Sequence, residues 1–179
     1  MQDNVLILGG PASGKTRACR QMVAGMVAAG GRAVALDWHG DYSDLSKELG
    51  KDRVITIGTG EYNEASSSWL ARQIARITNL LSVNLVVVEC DVYPDEVSIQ
   101  NLLLLARKTN TCGGQLVVTA QAVQPFSTPV GRELVNRMQT IKLLRMSEQD
   151  IEKAKEIFKL SMNQSLLLLR GEGITIKRT

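Results

Sequence analysis

The sequence is poor in the residues that usually organise metal-bound, disulfide-stapled or membrane-spanning proteins. It contains one histidine and three cysteines in 179 residues. Cys19, Cys90 and Cys112 lie far apart, form no CxxC pair and are odd in number, which argues against a disulfide framework or a Cys/His zinc site. Aromatic residues make up only 4% of the chain, so no stacking platform for single-stranded nucleic acid is visible. No apolar run approaches the roughly 18 residues that span a bilayer. The opening "MQDNVLILGG" has no basic region of the signal-peptide kind and enters directly into a strand pattern. The expectation is a cytoplasmic protein with no membrane partner.

What is present is ordinary globular material. Hydrophobic residues make up 44% and charged residues 22%, values that argue against disorder. The net charge of +3, from 21 basic and 18 acidic residues, neither demands nucleic acid nor excludes it. The length suits one domain with a real core, and no linker, repeat or low-complexity tract divides it. The whole of 1–179 is expected to be a single domain.

Apolar segments alternate in type along the chain. Strands are expected at 4–9, 32–37, 52–58, 84–90, 114–121 and 140–146, and helices at 14–31, 64–79, 95–109, 130–137 and from Ser147 onward. Ser147 stands three residues before Asp150, close to a capping box. The last segment, 165–178, reads as a β-hairpin turning at Gly171–Gly173. Alternation of this kind implies a mostly parallel sheet with helices on both faces, an α/β architecture of the doubly wound type.

Residues 9–16 read "GGPASGKT", a full match to G-x-x-x-x-G-K-[ST] that joins an apolar strand to a helix. Gly9 and Gly14 free the backbone to aim successive N–H groups at phosphate oxygens, and the following helix adds its positive N-terminal end. The nucleotide-binding residues are therefore Gly9, Gly10, Pro11, Ala12, Ser13, Gly14, Lys15, Thr16 and Arg17. Lys15 is expected to reach the β- and γ-phosphates, and the Thr16 hydroxyl to ligate Mg²⁺.

In a doubly wound sheet, ligands sit at the carboxyl ends of the strands. Three polar clusters fall there: Asp37, His39 and Asp41; Glu89, Cys90 and Asp91; Thr119 and Gln121. Asp37 reads equally as a turn cap or a functional acid, and Gln121 equally as a loop-satisfying amide or a site residue. Glu89 ends a fully apolar strand, where a buried carboxylate is costly unless something compensates it. A nearby Mg²⁺, direct or through water, would do so, and Glu89 is read with Thr16 as the metal pair.

The segments "GGPASGKT", "ALDWHGDYSDL", "LLLARKTNTCGGQLVVTAQ" and "NRMQTIKLLRMSEQDIEKA" together resemble the HerA/FtsK-type ATPases, P-loop motors with a RecA-like core that pump or translocate DNA. The resemblance covers most of the chain. Asp37, His39, Gly40, Asp41 and Tyr42 match that family's strand-two signature, with Trp38 in place of its proline. Gln121 is similar to its polar sensor, and Arg107–Lys108 to the basic pair before the sensor strand. The resemblance implies ATP as substrate, Mg²⁺, double-stranded DNA as partner and a homo-oligomeric ring, hexameric in kind. In such a ring an arginine acts in trans, for which Arg107, Arg132 and Arg137 are candidates. Many members carry a barrel, linker or membrane parts in addition; this chain is expected to be the bare ATPase core.

One departure bears on activity. The family pattern ends the fourth strand in two acids, the second of which polarises the attacking water. Here Glu89 keeps the first and Cys90 replaces the second. A thiol, with an unperturbed pKa of about 8.5, is a poor substitute for a carboxylate base. Asp91, or Asp41 from the neighbouring strand end, could take over; Asp95 and Glu96 suit the start of the next helix. The catalytic set is thus Lys15, Glu89, Asp41, Asp91 and Gln121, with hydrolysis expected to be slow. The alternative is a RecA-like paralogue that holds nucleotide as a non-motor switch or recombination mediator. A small-molecule kinase fits less well, since no arginine-rich lid is visible. Lys153, Lys155, Lys159 and the tail "IKRT" read either as a solvated face or as contacts to a DNA backbone.

Overall fold

The computed structural model describes residues 3–37, 40–58, 73, 77, 83–90 and 96–178. In chain order the elements are β1 (Val5–Leu8), α1 (Lys15–Ala28), β2 (Ala33–Asp37), α2 (Ser43–Leu49), β3 (Val54–Gly58), β4 (Leu85–Cys90), α3 (Glu96–Thr111), β5 (Gln115–Ala120), α4 (Pro129–Asn136), β6 (Thr140–Leu143), α5 (Glu148–Phe158), α6 (Met162–Leu169) and β7 (Ile174–Lys177). A 3₁₀ turn, Gln124–Ser127, precedes α4. The helix expected over 64–79 lies outside the described residues except for Gln73 and Ile77, both helical. His39, Asp91 and Asp95 also lie outside them.

The seven strands form one sheet in the order β3-β2-β4-β5-β1-β6-β7. Every pairing is parallel except β6–β7. The expected α/β architecture with a mostly parallel sheet is therefore present. The central strands read "VLIL", "LVVVEC" and "QLVVTA" because both of their faces are covered, and a strand buried twice has no polar alternation to display.

The two faces can be told apart by residue parity. Leu6, Leu8, Val86, Val88, Leu116 and Val118 join α3, α4 and α5 in one apolar cluster. Val5, Ile7, Val87 and Val117 join Cys19 and Val23 of α1 and Leu45 of α2 in the other. This is the period of two that a strand imposes on its side chains. One large-to-small change in either layer, such as Leu102→Ala, is expected to cost about 2–5 kcal/mol. The glycine at 131 lets α4 lie directly on the 3₁₀ turn, since a Cβ there would stand 2.3 Å from the Pro125 carbonyl oxygen.

The C-terminal segment corrects one expectation. The antiparallel pair exists, but it is formed by β6 and β7, with α5 and α6 between them in sequence. Residues 165–169, read from sequence as the first arm of a hairpin, are helical. The reason is local: Ser161 accepts from the Gln164 amide while the Gln164 side chain returns to the Ser161 amide, a complete capping box. A leucine run started in this way propagates as a helix. Ser147 caps α5 by accepting from the Asp150 amide at 3.2 Å, as its spacing predicts. Among the described residues, no helix is long and apolar enough to cross a membrane.

Candidate functional site

The site is assembled at the carboxyl ends of β1, β2, β4 and β5. β5 is inserted between β1 and β4, so the strand carrying the P-loop and the strand carrying Glu89 are not neighbours. Register connects them: Glu89 stands opposite Thr119, and Thr119 opposite Ile7.

The loop from Gly9 to Gly14 is held on both sides. Gly9 donates its amide to the Ala120 carbonyl at 3.2 Å, and Gly10 donates to the Arg145 carbonyl at 2.8 Å. A side chain at position 9 would place its Cβ 2.5 Å from Ser13 Oγ and 2.9 Å from Leu144 Cβ, so only glycine fits. Gly14 has φ 95° and Ala12 φ 54°, both in the left-handed region. For alanine this conformation costs about 1–2 kcal/mol, strain of the kind found where a backbone is shaped around a ligand. Residues 11–17 and Gln121 line an open recess of about 350 Å³. The first-turn amides of α1 border it, and they are donors the helix itself does not use.

Lys15 is almost wholly buried and folds back over its own loop. Its Nζ donates to the Gly9 carbonyl at 2.9 Å and the Gly10 carbonyl at 3.1 Å. One residue on, Thr16 Oγ1 donates to Glu89 Oε1 at 3.2 Å. The same carboxylate oxygen accepts from Tyr42 Oη at 2.9 Å. Two oxygens of hard-cation character, Thr16 Oγ1 and Glu89 Oε1, therefore meet beside the P-loop. Among the described residues, no group of three His, Cys, Asp or Glu could hold a metal unaided. The pair fits Mg²⁺, which keeps several waters and takes substrate phosphates together with one or two protein oxygens.

Asp37 ends β2 next to this pair but is used differently. Its Oδ1 accepts from the amides of Gly40 (2.8 Å) and Asp41 (3.0 Å), and its Oδ2 from the amide of Tyr42 (2.9 Å). The carboxylate folds the loop that leads into α2. Asp41 is exposed. Its carbonyl accepts from Arg20, which also grips Asp44 through two bonds of 2.7 and 2.9 Å. The Arg20 guanidinium holds the Asp44 carboxyl down at about 2.

Beneath the P-loop lies a small buried cluster not apparent from the sequence. Tyr42 and Cys19 are fully buried in the same apolar cluster. Burial, followed by the Glu89 charge, pushes the Cys19 thiol up to about 12. Burial also drives the Tyr42 phenol far above its ordinary range, with Cys19 and Glu89 adding to the effect. Tyr42 therefore remains a donor to Glu89 at any physiological pH. Tyr42 stands out in the sequence only as the last letter of the strand-two pattern, with nothing to say where its hydroxyl goes.

Cys90 and the three arginines stand apart from this group. Cys90 belongs to the apolar cluster on the α3 side of the sheet, together with Val88 and Ala120. Glu89 faces the α1 side, where Thr16 and Tyr42 meet it. Arg107 pairs with Glu133 at 2.7 Å, Arg137 approaches the same carboxylate at 3.8 Å, and Arg132 pairs with Glu156 at 3.2 Å. All of these pairs are exposed. Arg107, late in α3, and Arg137, just before β6, lie toward the edge where the strands begin, away from the P-loop.

Comparison with known proteins agrees with this geometry. No curated protein matches the chain. Among solved structures, VirB4 of Thermoanaerobacter pseudethanolicus superposes with a TM-score of 0.83 at 13% identity, over 98% of this chain and 89% of that one. The genome packaging NTPase B204 of Sulfolobus turreted icosahedral virus 2, in complex with AMP, superposes with a TM-score of 0.65 at 12% identity, over 98% and 92%. Its complex with ATP-gammaS gives 0.63 at 10% identity, over 98% and 97%. These likenesses establish the fold. The sequence pattern of the family described as "Helicase HerA, central domain" matches residues 2–170. That span takes in the P-loop, the Asp37 loop, Glu89 and Gln121 together, and the chain belongs to the HerA central-domain family of P-loop NTPases.

Proposed function

We propose that the chain is a Mg²⁺-dependent ATPase core that couples hydrolysis to work on double-stranded DNA as a homo-oligomeric ring. The observation that carries this reading is the meeting of Thr16 Oγ1 and Glu89 Oε1 beside an intact P-loop. Membership of the HerA family supports it, as does likeness to a packaging NTPase solved with ATP-gammaS.

Each residue has a role under this reading. Lys15 leaves the Gly9 and Gly10 carbonyls and turns to the β- and γ-phosphates, while the α1 amides hold the phosphate oxygens. Thr16 and Glu89 would hold Mg²⁺, which would supply charge neutralisation at the phosphates. Gln121, on the rim of the recess, orients the γ-phosphate or the attacking water. Asp41 and Asp91 are the acids available to position that water. One of Arg107, Arg132 and Arg137 reaches a neighbouring subunit's site, exchanging its intrachain carboxylate for phosphate.

Turnover in the isolated chain is slow on this reading. Cys90 takes the position of the second acid, and a thiol packed among apolar side chains is a poor base. The same observation favours the second reading, in which the chain binds nucleotide as a switch and hydrolyses little. ATP turnover of the purified chain, with and without double-stranded DNA and beside Lys15→Ala, separates the two. Turnover that rises with DNA and disappears in the variant supports the motor. Nucleotide binding with no turnover in either condition supports the switch.

A further inference from the structure

One buried side chain near the site, to which no catalytic role is attached, links two strand ends. Tyr42 opens α2, its side chain is fully buried under the P-loop, and its hydroxyl donates to Glu89 Oε1 at 2.9 Å. Its main-chain amide donates to Asp37 Oδ2 at 2.9 Å, while Asp37 Oδ1 holds the amide of Asp41, the preceding residue, at 3.0 Å. One residue thus joins the carboxylate beside the P-loop to the loop bearing Asp41. The connection crosses from β4 to β2 through a rigid aromatic ring, with no freely rotating link other than the ring's own two side-chain torsions.

We propose that Tyr42 is a positioning residue that couples metal occupancy at Thr16 and Glu89 to the conformation of the 40–42 loop, and thereby places Asp41. The proposal rests on the nucleotide and Mg²⁺ reading above. In the present structure Glu89 Oε1 is shared between Thr16 and Tyr42. A cation held by Thr16 would take a lone pair of Oγ1, and the hydroxyl would keep its proton for the carboxylate. Tyr42 would supply a second donor, from another element, that fixes the direction of Glu89. Partners of this outer kind orient metal-binding carboxylates, and their removal typically weakens metal binding 10- to 100-fold. The load on the carboxylate is passed to the loop because the Tyr42 ring and amide belong to one residue.

The test uses the full chain and Tyr42→Phe, which keeps the ring and removes the donor. Binding of a fluorescent ATP analogue is measured in EDTA and across a Mg²⁺ titration. Hydrogen exchange of the peptide covering residues 40–43 is followed with ATP-gammaS, with and without Mg²⁺. The expected result is unchanged analogue affinity in EDTA and a half-saturating Mg²⁺ concentration raised about tenfold in the variant. Mg²⁺-dependent slowing of exchange at 40–43 is expected in the wild type and not in the variant. Equal half-saturating Mg²⁺ in both proteins would overturn the proposal, even if the variant were less stable, because a merely structural tyrosine lowers Tm without moving that midpoint. Should the variant not fold, the wild-type exchange decides alone, and no Mg²⁺-dependent change at 40–43 overturns the coupling. A wild type that binds no analogue with or without Mg²⁺ removes the nucleotide reading itself, and the coupling with it.

Discussion

Asp37 and Glu89 are both carboxylates at the ends of parallel, adjacent strands, and they are 2% and 1% exposed. Asp37 turns inward on its own chain and accepts three amides from the next five residues. Glu89 accepts instead from side chains of two other elements, Thr16 on α1 and Tyr42 at the start of α2. The first acid is consumed in building a loop. The second is aimed across the sheet at the place where phosphate is bound. Burial and position do not distinguish these two carboxylates; the identity of their donors does.

The comparison can be broken by exchanging each acid for its amide. The largest effect on turnover is expected from the phosphate side, as a reference: Lys15→Ala should lower ATP turnover by about 10³ or more, measured by phosphate release. Glu89→Gln should follow at about 10²–10³, with Tm close to that of the wild type, because the amide keeps an acceptor for Tyr42 and removes a buried charge. Asp37→Asn should reverse this pattern. One acceptor oxygen cannot serve amides that now occupy two, so unfolding free energy in urea should fall by about 2–4 kcal/mol while nucleotide affinity changes little. An Asp37→Asn chain of normal stability but no turnover would place Asp37 with Glu89.

Smaller effects sharpen the contrast between neighbours on β4. Cys90→Ala should leave turnover within about twofold and cost about 1–2 kcal/mol, the signature of a packing residue. Cys19 should resist alkylation at pH 8, where the exposed Cys112 reacts. Because the Cys19 thiol is raised from 9.0 to about 12, the folded chain keeps a proton that the unfolded chain loses. Stability should therefore fall as pH rises above about 9, a trend that Cys19→Ala weakens. The smallest effect belongs to the exposed Arg20–Asp44 pair. With Asp44 lowered from 3.8 to about 2, its contribution is present above pH 4 and lost as pH falls through 2. The Tm difference between wild type and Asp44→Asn should be small at neutral pH and vanish below pH 2.

Much of the fold was legible because the doubly buried strands announce themselves as unbroken apolar runs and the P-loop is specific in type and spacing. The sequence misled at 165–169, where four leucines suit either a strand or a helix and the decision lay with the Ser161–Gln164 cap just upstream. α2 is not legible in the sequence, since Ser43–Leu49 is short and mostly polar and shows little apolar periodicity. Within the site, Lys15 and Thr16 could be named from motif spacing, and Glu89 from its place at the end of an unbroken apolar strand. The donor set that divides Asp37 from Glu89 could not, because Tyr42 and Glu89 are 47 positions apart. Nor could the facing of Cys90, which depends on the pleat of β4.

Lys15, resting on two carbonyls of its own loop, gives the site an internal competitor. On the proposed reading an incoming phosphate would exchange for the Gly9 and Gly10 oxygens instead of meeting an uncompensated ammonium, so affinity would be a difference between two sets of contacts. The exchange would also run in reverse: as the phosphates left, the ammonium would have a seat to return to, and no buried charge would be stranded. On the proposed reading, a loop arranged this way would trade tightness of grip for ease of release.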